Sequence, residues 1–254
     1  MGSEAPAVPK GNGITHVTLV VFSANDLAAS TAFYTKVFGW QLQGLSDELT
    51  GAMTPAGPMA ALRTNVPAGS PGMIPYIGVS DVDVMLERVV AAGGTIDKPT
   101  WKMPMAKLAR FRDTAGTIYG LTDSSSPVAM QHVPMPFGAN PRPPAGAICS
   151  IEMYAADGDA AARFFEDVFG WGTLATMPQF MAFDPGAGIG GVFQSHTPAT
   201  PAVAYIYATD VGAKLDEIEA AGGTRMGDAM RIPGLACFGY FSDPSKTTVG
   251  LIGP

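Results

Sequence analysis

Ile14 to Trp40, ITHVTLVVFSANDLAASTAFYTKVFGW, reads as a strand, a short loop, a helix and a sharp stop. It returns in altered form at Ile148 to Trp171, ICSIEMYAADGDAAARFFEDVFGW. Placing Trp40 on Trp171 sets an offset of 131 residues, which also matches Phe33 with Phe164, Asp26 with Asp157 and Gly39 with Gly170. Further on, Ser80-Asp81-Val82 answers to Thr209-Asp210-Val211, and Ala91-Ala92-Gly93-Gly94-Thr95 to Ala220-Ala221-Gly222-Gly223-Thr224, at an offset of 129. Asp113 and Gly120-Leu121 answer to Asp243 and Gly250-Leu251 at 130. A period this long is that of duplicated domains, not of a solenoid of short repeats.

Composition agrees. A chain of 254 residues has room for two ordinary domains, and 47% hydrophobic with 15% charged residues gives each half enough to bury a core. The net charge of −7 argues against nucleic acid, which needs a basic surface. No apolar run approaches the ~18 residues of a membrane span, and the opening MGSEAPAVPKGNG has no apolar export signal. Cys149 and Cys237 are too few for a disulfide framework and read as reduced, buried thiols, so a cytoplasmic setting is expected.

The alternation of β-branched residues over 14–21 predicts a strand. Asn25 or Asp26 can cap the helix that follows, with Leu27, Thr31, Tyr34 and Phe38 as its inner stripe and Gly39 in the left-handed stop position. Short strands near 41–46, 51–54 and 59–63 complete a βαβββ unit. A second unit starts with a strand over 74–79 and a helix from Asp81 or Asp83 to about Ala92, with Leu86, Val89 and Val90 inward; strands near 94–97, 106–112 and 117–122 close it. The proline-rich stretch from 124 to 145 breaks both helices and ladders and reads as a linker. The expected organisation is a flexible tail (1–12), a first domain (13–123), the linker (124–145) and a second domain (146–254).

These motifs resemble the vicinal oxygen chelate superfamily, the glyoxalase/bleomycin-resistance/dioxygenase group. The residues that carry the likeness are the strand with His16, then Phe33-Tyr34 and Val37-Phe38-Gly39-Trp40, Val79-x-Asp81-Val82-Asp83 with its Ala-Gly-Gly helix end, and Asp113-x-x-Gly116. The Phe-Gly-Trp ending is closest in type to the two-domain, glyoxalase-like or hydroxylase-labelled branch. The resemblance implies an α+β fold of tandem duplicated domains, each of two βαβββ units forming an open, curved half-barrel sheet.

It also implies a divalent metal (Zn, Ni, Mn or Fe) held by side chains on the first and last strands of each unit. Matched to this chain, the first-strand position is His16 in the first half and Ser150 in the second. The last-strand position, an acid in catalytic members, falls on Gly120 and Gly250. Ile74 and Val203 stand at the start of the second units, and neither Met59–Arg63 nor Gly190–Gln194 supplies an acid or a histidine. Glycine has no donor atom, and such a metal needs three or four protein ligands, so no cofactor is expected. The other histidines, His132 and His196, fall in the linker and in a polar loop.

The expected function is therefore binding of a small apolar or aromatic molecule in a cup, with His16, Trp40, Tyr76, Tyr119, Glu152 and Tyr205 as candidate ligand-binding residues. A glyoxalase-like lyase or isomerase acting through His16, by metal or by acid–base chemistry, is the alternative. A degenerate scaffold is a third. His16 can equally be an inward strand histidine, Glu152 a solvated acid, and Trp40 or Trp171 packing for the helix end. The first cup, with His16, Tyr76 and Tyr119, is expected to be the binding one. No nucleic acid or membrane partner is expected, and a homodimer is left open.

Overall fold

The computed structural model describes residues 8–67, 70–104, 106–124, 133, 141–195 and 201–254. In chain order the first half runs β1 (His16–Ser23), α1 (Leu27–Phe38), β2 (Gln41–Ser46), β3 (Leu49–Met53), β4 (Met59–Arg63), β5 (Met73–Gly78), α2 (Val82–Ala91), β6 (Thr95–Met103), β7 (Ala106–Arg112) and β8 (Ile118–Thr122). The second half runs β9 (Ile148–Tyr154), α3 (Gly158–Phe169), β10 (Gly172–Met177), β11 (Phe180–Asp184), β12 (Gly191–Gln194), β13 (Ala202–Tyr207), α4 (Val211–Ala220), β14 (Thr224–Arg225), β15 (Met230–Ile232), β16 (Ala236–Ser242) and β17 (Thr248–Gly253). β15, a short exposed strand paired to β16, lies in a Gly- and Pro-flanked stretch that carries no alternation to reveal it. Among the described residues no helix is long and apolar enough to cross a membrane.

The helices start and stop where side-chain chemistry says they should. Asp26 and Asp157 each accept from a backbone N–H in the first turn at 2.9 Å, and Asp81 and Asp210 do the same for α2 and α4. Gly39 and Gly170 take φ of 68° and 69°, the left-handed conformation that glycine adopts without strain. The buried stripe of α1 is Ser30, Phe33, Tyr34, Val37 and Phe38, rotated slightly from the expected one, and Val90 of α2 faces solvent.

The two sheets repeat one topology. The first has the order β2-β3-β4-β1-β5-β8-β7-β6, the second β10-β11-β12-β9-β13-β17-β16-β14. In each unit the first strand pairs with the last in parallel (β1 with β4, β5 with β8), and the units meet antiparallel along β1 and β5. Each sheet is an open, half-barrel-like surface with helices on one face only.

The halves do not keep separate cores, as composition alone suggested. Their helix-covered faces pack on each other in one hydrophobic cluster that includes residues of both. Phe33 and Phe38 of α1 meet Phe241 of β16 at 6.1 and 5.9 Å. Phe164 and Phe169 of α3 meet Phe111 of β7 at 6.2 and 5.8 Å. Two tryptophans lock this seam almost symmetrically. Trp40 donates its indole N–H to the Gly146 carbonyl at 2.8 Å, and Trp171 donates to the Thr15 carbonyl at 2.9 Å. The acceptors are themselves 131 residues apart, so a single contact has been duplicated. Tyr34 adds a hydroxyl bond to Asp243 at 3.0 Å.

The described part of the expected tail is pinned rather than loose. Gly11, Asn12 and Gly13 donate their amides to Asp184, Gly170 and Pro185 of the second half. Most of the expected linker lies outside the described residues; Val133 is buried and donates to the Gly188 carbonyl.

Trp40 and Trp171 are 1% and 2% exposed, so removing either N–H leaves a buried carbonyl without its partner. Trp40→Phe is expected to cost about 2 kcal/mol in urea unfolding, from an unsatisfied buried acceptor plus lost packing, and Trp171→Phe a similar amount. A change below about 0.5 kcal/mol for both would remove the tryptophans from the seam.

Candidate functional site

With the helix faces consumed between the halves, the other face of each sheet is left as a cup. In the first sheet it carries a small apolar cluster separate from the main core. Ile74, Tyr76 and Leu108 are buried in it, with Leu19, Val21, Trp101 and Ile118 half-buried around them.

Strand register defines the rows across this face. Leu19 stands opposite Met59 and Tyr76, Tyr76 opposite Gly120, and Gly120 opposite Arg110. In the second sheet the same row reads Ser150, Tyr205, Gly250 and Tyr240. The register corrects the pairing of His16 with Ser150. The counterpart of Ser150 is Leu19, because each sits opposite the tyrosine of its row; His16 corresponds to Ala147. A β-bulge between Val17 and Leu19 puts His16 opposite Gly78, one row away on the same face.

The glycines of the row are filled from above. A Cβ on Gly120 would lie 2.1 Å from the Tyr76 ring, and one on Gly250 would lie 2.5 Å from the Tyr205 ring. The space where a longer last-strand side chain would stand holds an aromatic ring in both sheets. The row residues do not fit a divalent ion: Leu19, Tyr76 and Gly120 offer one phenol oxygen, and Ser150, Tyr205 and Gly250 a hydroxyl and a phenol. Among the described residues no three His, Cys, Asp or Glu side chains come together. His132 and His196 lie outside the described residues.

The other candidates sort by face. Trp40 is on the helix side, stacked on Tyr34 at 4.7 Å, and does not reach a cup. Tyr119 is also a correction. Its neighbour Gly120 faces the cup, so Tyr119 points the other way, where it is fully buried against Phe111 at 5.4 Å and Phe165 of α3 at 5.2 Å. His16 is 3% exposed, and neither ring nitrogen has a hydrogen-bond partner among the described residues; the same holds for the Thr18 hydroxyl. Burial lowers the His16 pKa, which keeps the ring neutral.

Tyr76 and Tyr205 are cup residues with opposite neighbours. Tyr205 donates to the Glu152 carboxylate at 2.6 Å and shares a 2.6 Å contact with the Tyr240 hydroxyl. Burial first, then the Glu152 charge, pushes the Tyr205 phenol well above its ordinary pKa. Glu152 is 8% exposed and is held by this bond rather than solvated. Around Tyr76 the charges are positive. Burial raises its pKa while the Arg110 and Arg63 guanidiniums pull it down. Lys98 sits 4.1 Å over the Trp101 ring, and Arg110 and Arg112 both pair with Asp97, at 3.0 and 2.6 Å.

Sequence reasoning missed Arg63, Asp97, Lys98, Trp101, Arg110 and Tyr240. A signal existed: Arg110 and Arg112 alternate on one strand of an acidic chain, and Arg110 occupies the place that Tyr240 takes in the second copy. The cup face was assigned through Tyr119 instead, and one residue of error on a strand reverses every side chain.

The comparisons agree with the fold. Residues 13–118 match the family model for the Glyoxalase/Bleomycin resistance protein/Dioxygenase superfamily. Over 255 aligned residues, covering 92% of this chain and 93% of the relative, the chain is 27% identical to "Putative glyoxylase CFP32" of Mycobacterium bovis. Among solved structures, the Mn(II)-bound glyoxalase from Novosphingobium aromaticivorans superposes with a TM-score of 0.65 at 16% identity, covering 94% of this chain and 82% of that one. The 2,3-dioxygenase LapB from Pseudomonas sp. KL28 gives 0.64 at 15% identity, covering 96% and 93%. At such identities these two speak for the fold alone. The family-model match thus covers the first half, residues 13–118, and the second half repeats the same sheet topology.

Proposed function

We propose that this protein binds a small apolar or aromatic molecule on the open face of a sheet, without a family-type metal. The observation that carries the reading is the tyrosine laid over the row glycine in both cups. That ring removes the space for an acidic metal ligand and puts an aromatic side chain in its place. The apolar surroundings in the first sheet and the few polar groups at its edge suit a small-molecule site.

One observation favours a second reading. His16 is neutral, buried and without a partner one row from Tyr76. A histidine in that state can take up a proton from a substrate that reaches it, so acid–base chemistry of the lyase or isomerase type is the alternative. The name of the mycobacterial relative, a glyoxylase, points the same way.

The two readings separate in calorimetry on EDTA-treated protein with a panel of neutral aromatic probes. Binding is expected to survive the treatment, with affinities within about twofold after Mn(II) or Zn(II) is restored, since no step depends on the ion. Binding or turnover that appears only with metal would contradict the proposal. Turnover that is lost in His16→Ala but indifferent to metal would favour the alternative.

The tyrosine-over-glycine contact makes its own prediction. Gly120→Ala forces the Tyr76 ring from its place in a packed cluster, and overpacking of this kind costs about 1–3 kcal/mol. Adding Tyr76→Ala should make the double variant more stable than the sum of the single losses, by about 1 kcal/mol or more. Strict additivity would mean that the two residues do not share that space.

A further inference from the structure

The charge around Tyr76 runs against the rest of the molecule. The chain carries 22 acidic and 15 basic side chains, yet Arg63, Lys98, Arg110 and Arg112 gather at one end of the first cup. Among the described residues Asp97 is the one carboxylate paired with any of them, shared by Arg110 and Arg112. None pairs with Arg63 or Lys98, and four cations against one carboxylate leave a formal excess of three. The crowding is felt at Lys98, whose pKa is lowered by burial and then by the charges of Arg110 and Arg63.

A cleft of about 390 Å³ opens at this end, between the first sheet and the point where β9 ends and β13 begins in the second. Its walls include Asp97, Arg110, Arg112 and Ile118 on one side and Tyr154 and Pro201 on the other. Ile118 and Arg110 belong both to this cleft and to the strand rows of the cup, so the cleft continues the apolar face of Tyr76, Ile74 and Leu108. A volume of this size is at the lower end of small-ligand pockets. It presents the guanidinium groups of Arg110 and Arg112, whose charge Asp97 only partly balances, beside the apolar Ile118, Tyr154 and Pro201.

We infer that the cleft at the end of the first cup takes an aromatic or apolar molecule bearing one carboxylate-type anion, its ring against Ile118, Tyr154 and Pro201 and its anion beside Arg110 and Arg112. The inference rests on the small-molecule reading above and narrows it to one cup and one ligand class. A planar carboxylate matches the fork of a guanidinium, and charge-assisted bonds of this kind are about twice as strong as neutral ones. The second cup excludes the same ligand. Its row holds Tyr205 and Tyr240 around the buried Glu152 carboxylate, which repels an anion.

The test compares naphthoate with its uncharged isostere naphthamide, by calorimetry on the full-length chain at low salt. Naphthoate is expected to bind at least about tenfold more tightly. Arg110→Met should bring that ratio below about threefold, and Arg110→Lys should keep much of it. Arg63→Met and Lys98→Met should each reduce it, and they serve where loss of Arg110 disturbs folding. Tyr205→Phe, in the second cup, should leave it unchanged. Equal binding of the two probes, a ratio indifferent to Arg110, Arg63 and Lys98, or a preference lost in Tyr205→Phe would each overturn the inference. Equal binding would still leave the small-molecule reading standing. Binding of neither probe overturns the inference, and the broader reading falls with it only if the neutral panel also fails.

Discussion

Everything in this molecule follows from two helix-covered sheet faces being buried against each other. A βαβββ pair has one face that its helices cover only partly, and a lone copy would leave much aromatic surface in water. Here Phe33, Phe38 and Phe241 close one side of the seam and Phe111, Phe164 and Phe169 the other. Burying one such side chain contributes about 1.5–3 kcal/mol. Six of them match the whole net stability of an ordinary domain, about 5–15 kcal/mol. The halves are therefore repeats in topology and one body in energy.

That constraint decides where chemistry can happen. With the helix faces spent on folding, the cups are the surfaces left free to vary. The central row of each free face holds Leu19, Tyr76 and Gly120 in one sheet and Ser150, Tyr205 and Gly250 in the other. Glycine and tyrosine fit as a pair: the ring lies where a Cβ would be, so the tyrosine stays only while the glycine does. Around this shared motif the copies have separated. The first cup is apolar with a basic rim, and the second is built on an acid held by phenols. Duplication has kept the frame and changed the sign of the charge.

Much of the frame was legible in the residues. The helix caps at Asp26, Asp81, Asp157 and Asp210, the glycine stops and the repeat offset all rest on local chemistry, and local chemistry survives folding. The pairing of βαβββ units into an open, curved sheet followed from resemblance to the superfamily, and the strand order came only with the structure. The site was less legible. His16 drew attention as the first histidine on a strand, but the bulge at Thr18 shifts it out of the row, and a bulge leaves no mark in an alternating run of Val, Thr and Leu. Tyr119 and Trp40 are large aromatics that composition cannot assign to a face, and both belong to the seam. Tyr76, Glu152 and Tyr205 do lie on cup faces, because β-strand alternation carried them there. The basic rim was hidden for a different reason: Arg63, Lys98 and Arg110 come from three strands, and only register brings them together.

The claim on which the rest stands is that the two halves share one core. Hydrogen exchange in increasing urea measures it directly, through the slowest amides of β1 and β5 in one half and β9 and β13 in the other. One body predicts that both sets exchange by a common opening, with equal free energies and equal urea dependence at every concentration. Two sets that open separately, each with its own midpoint, would contradict it.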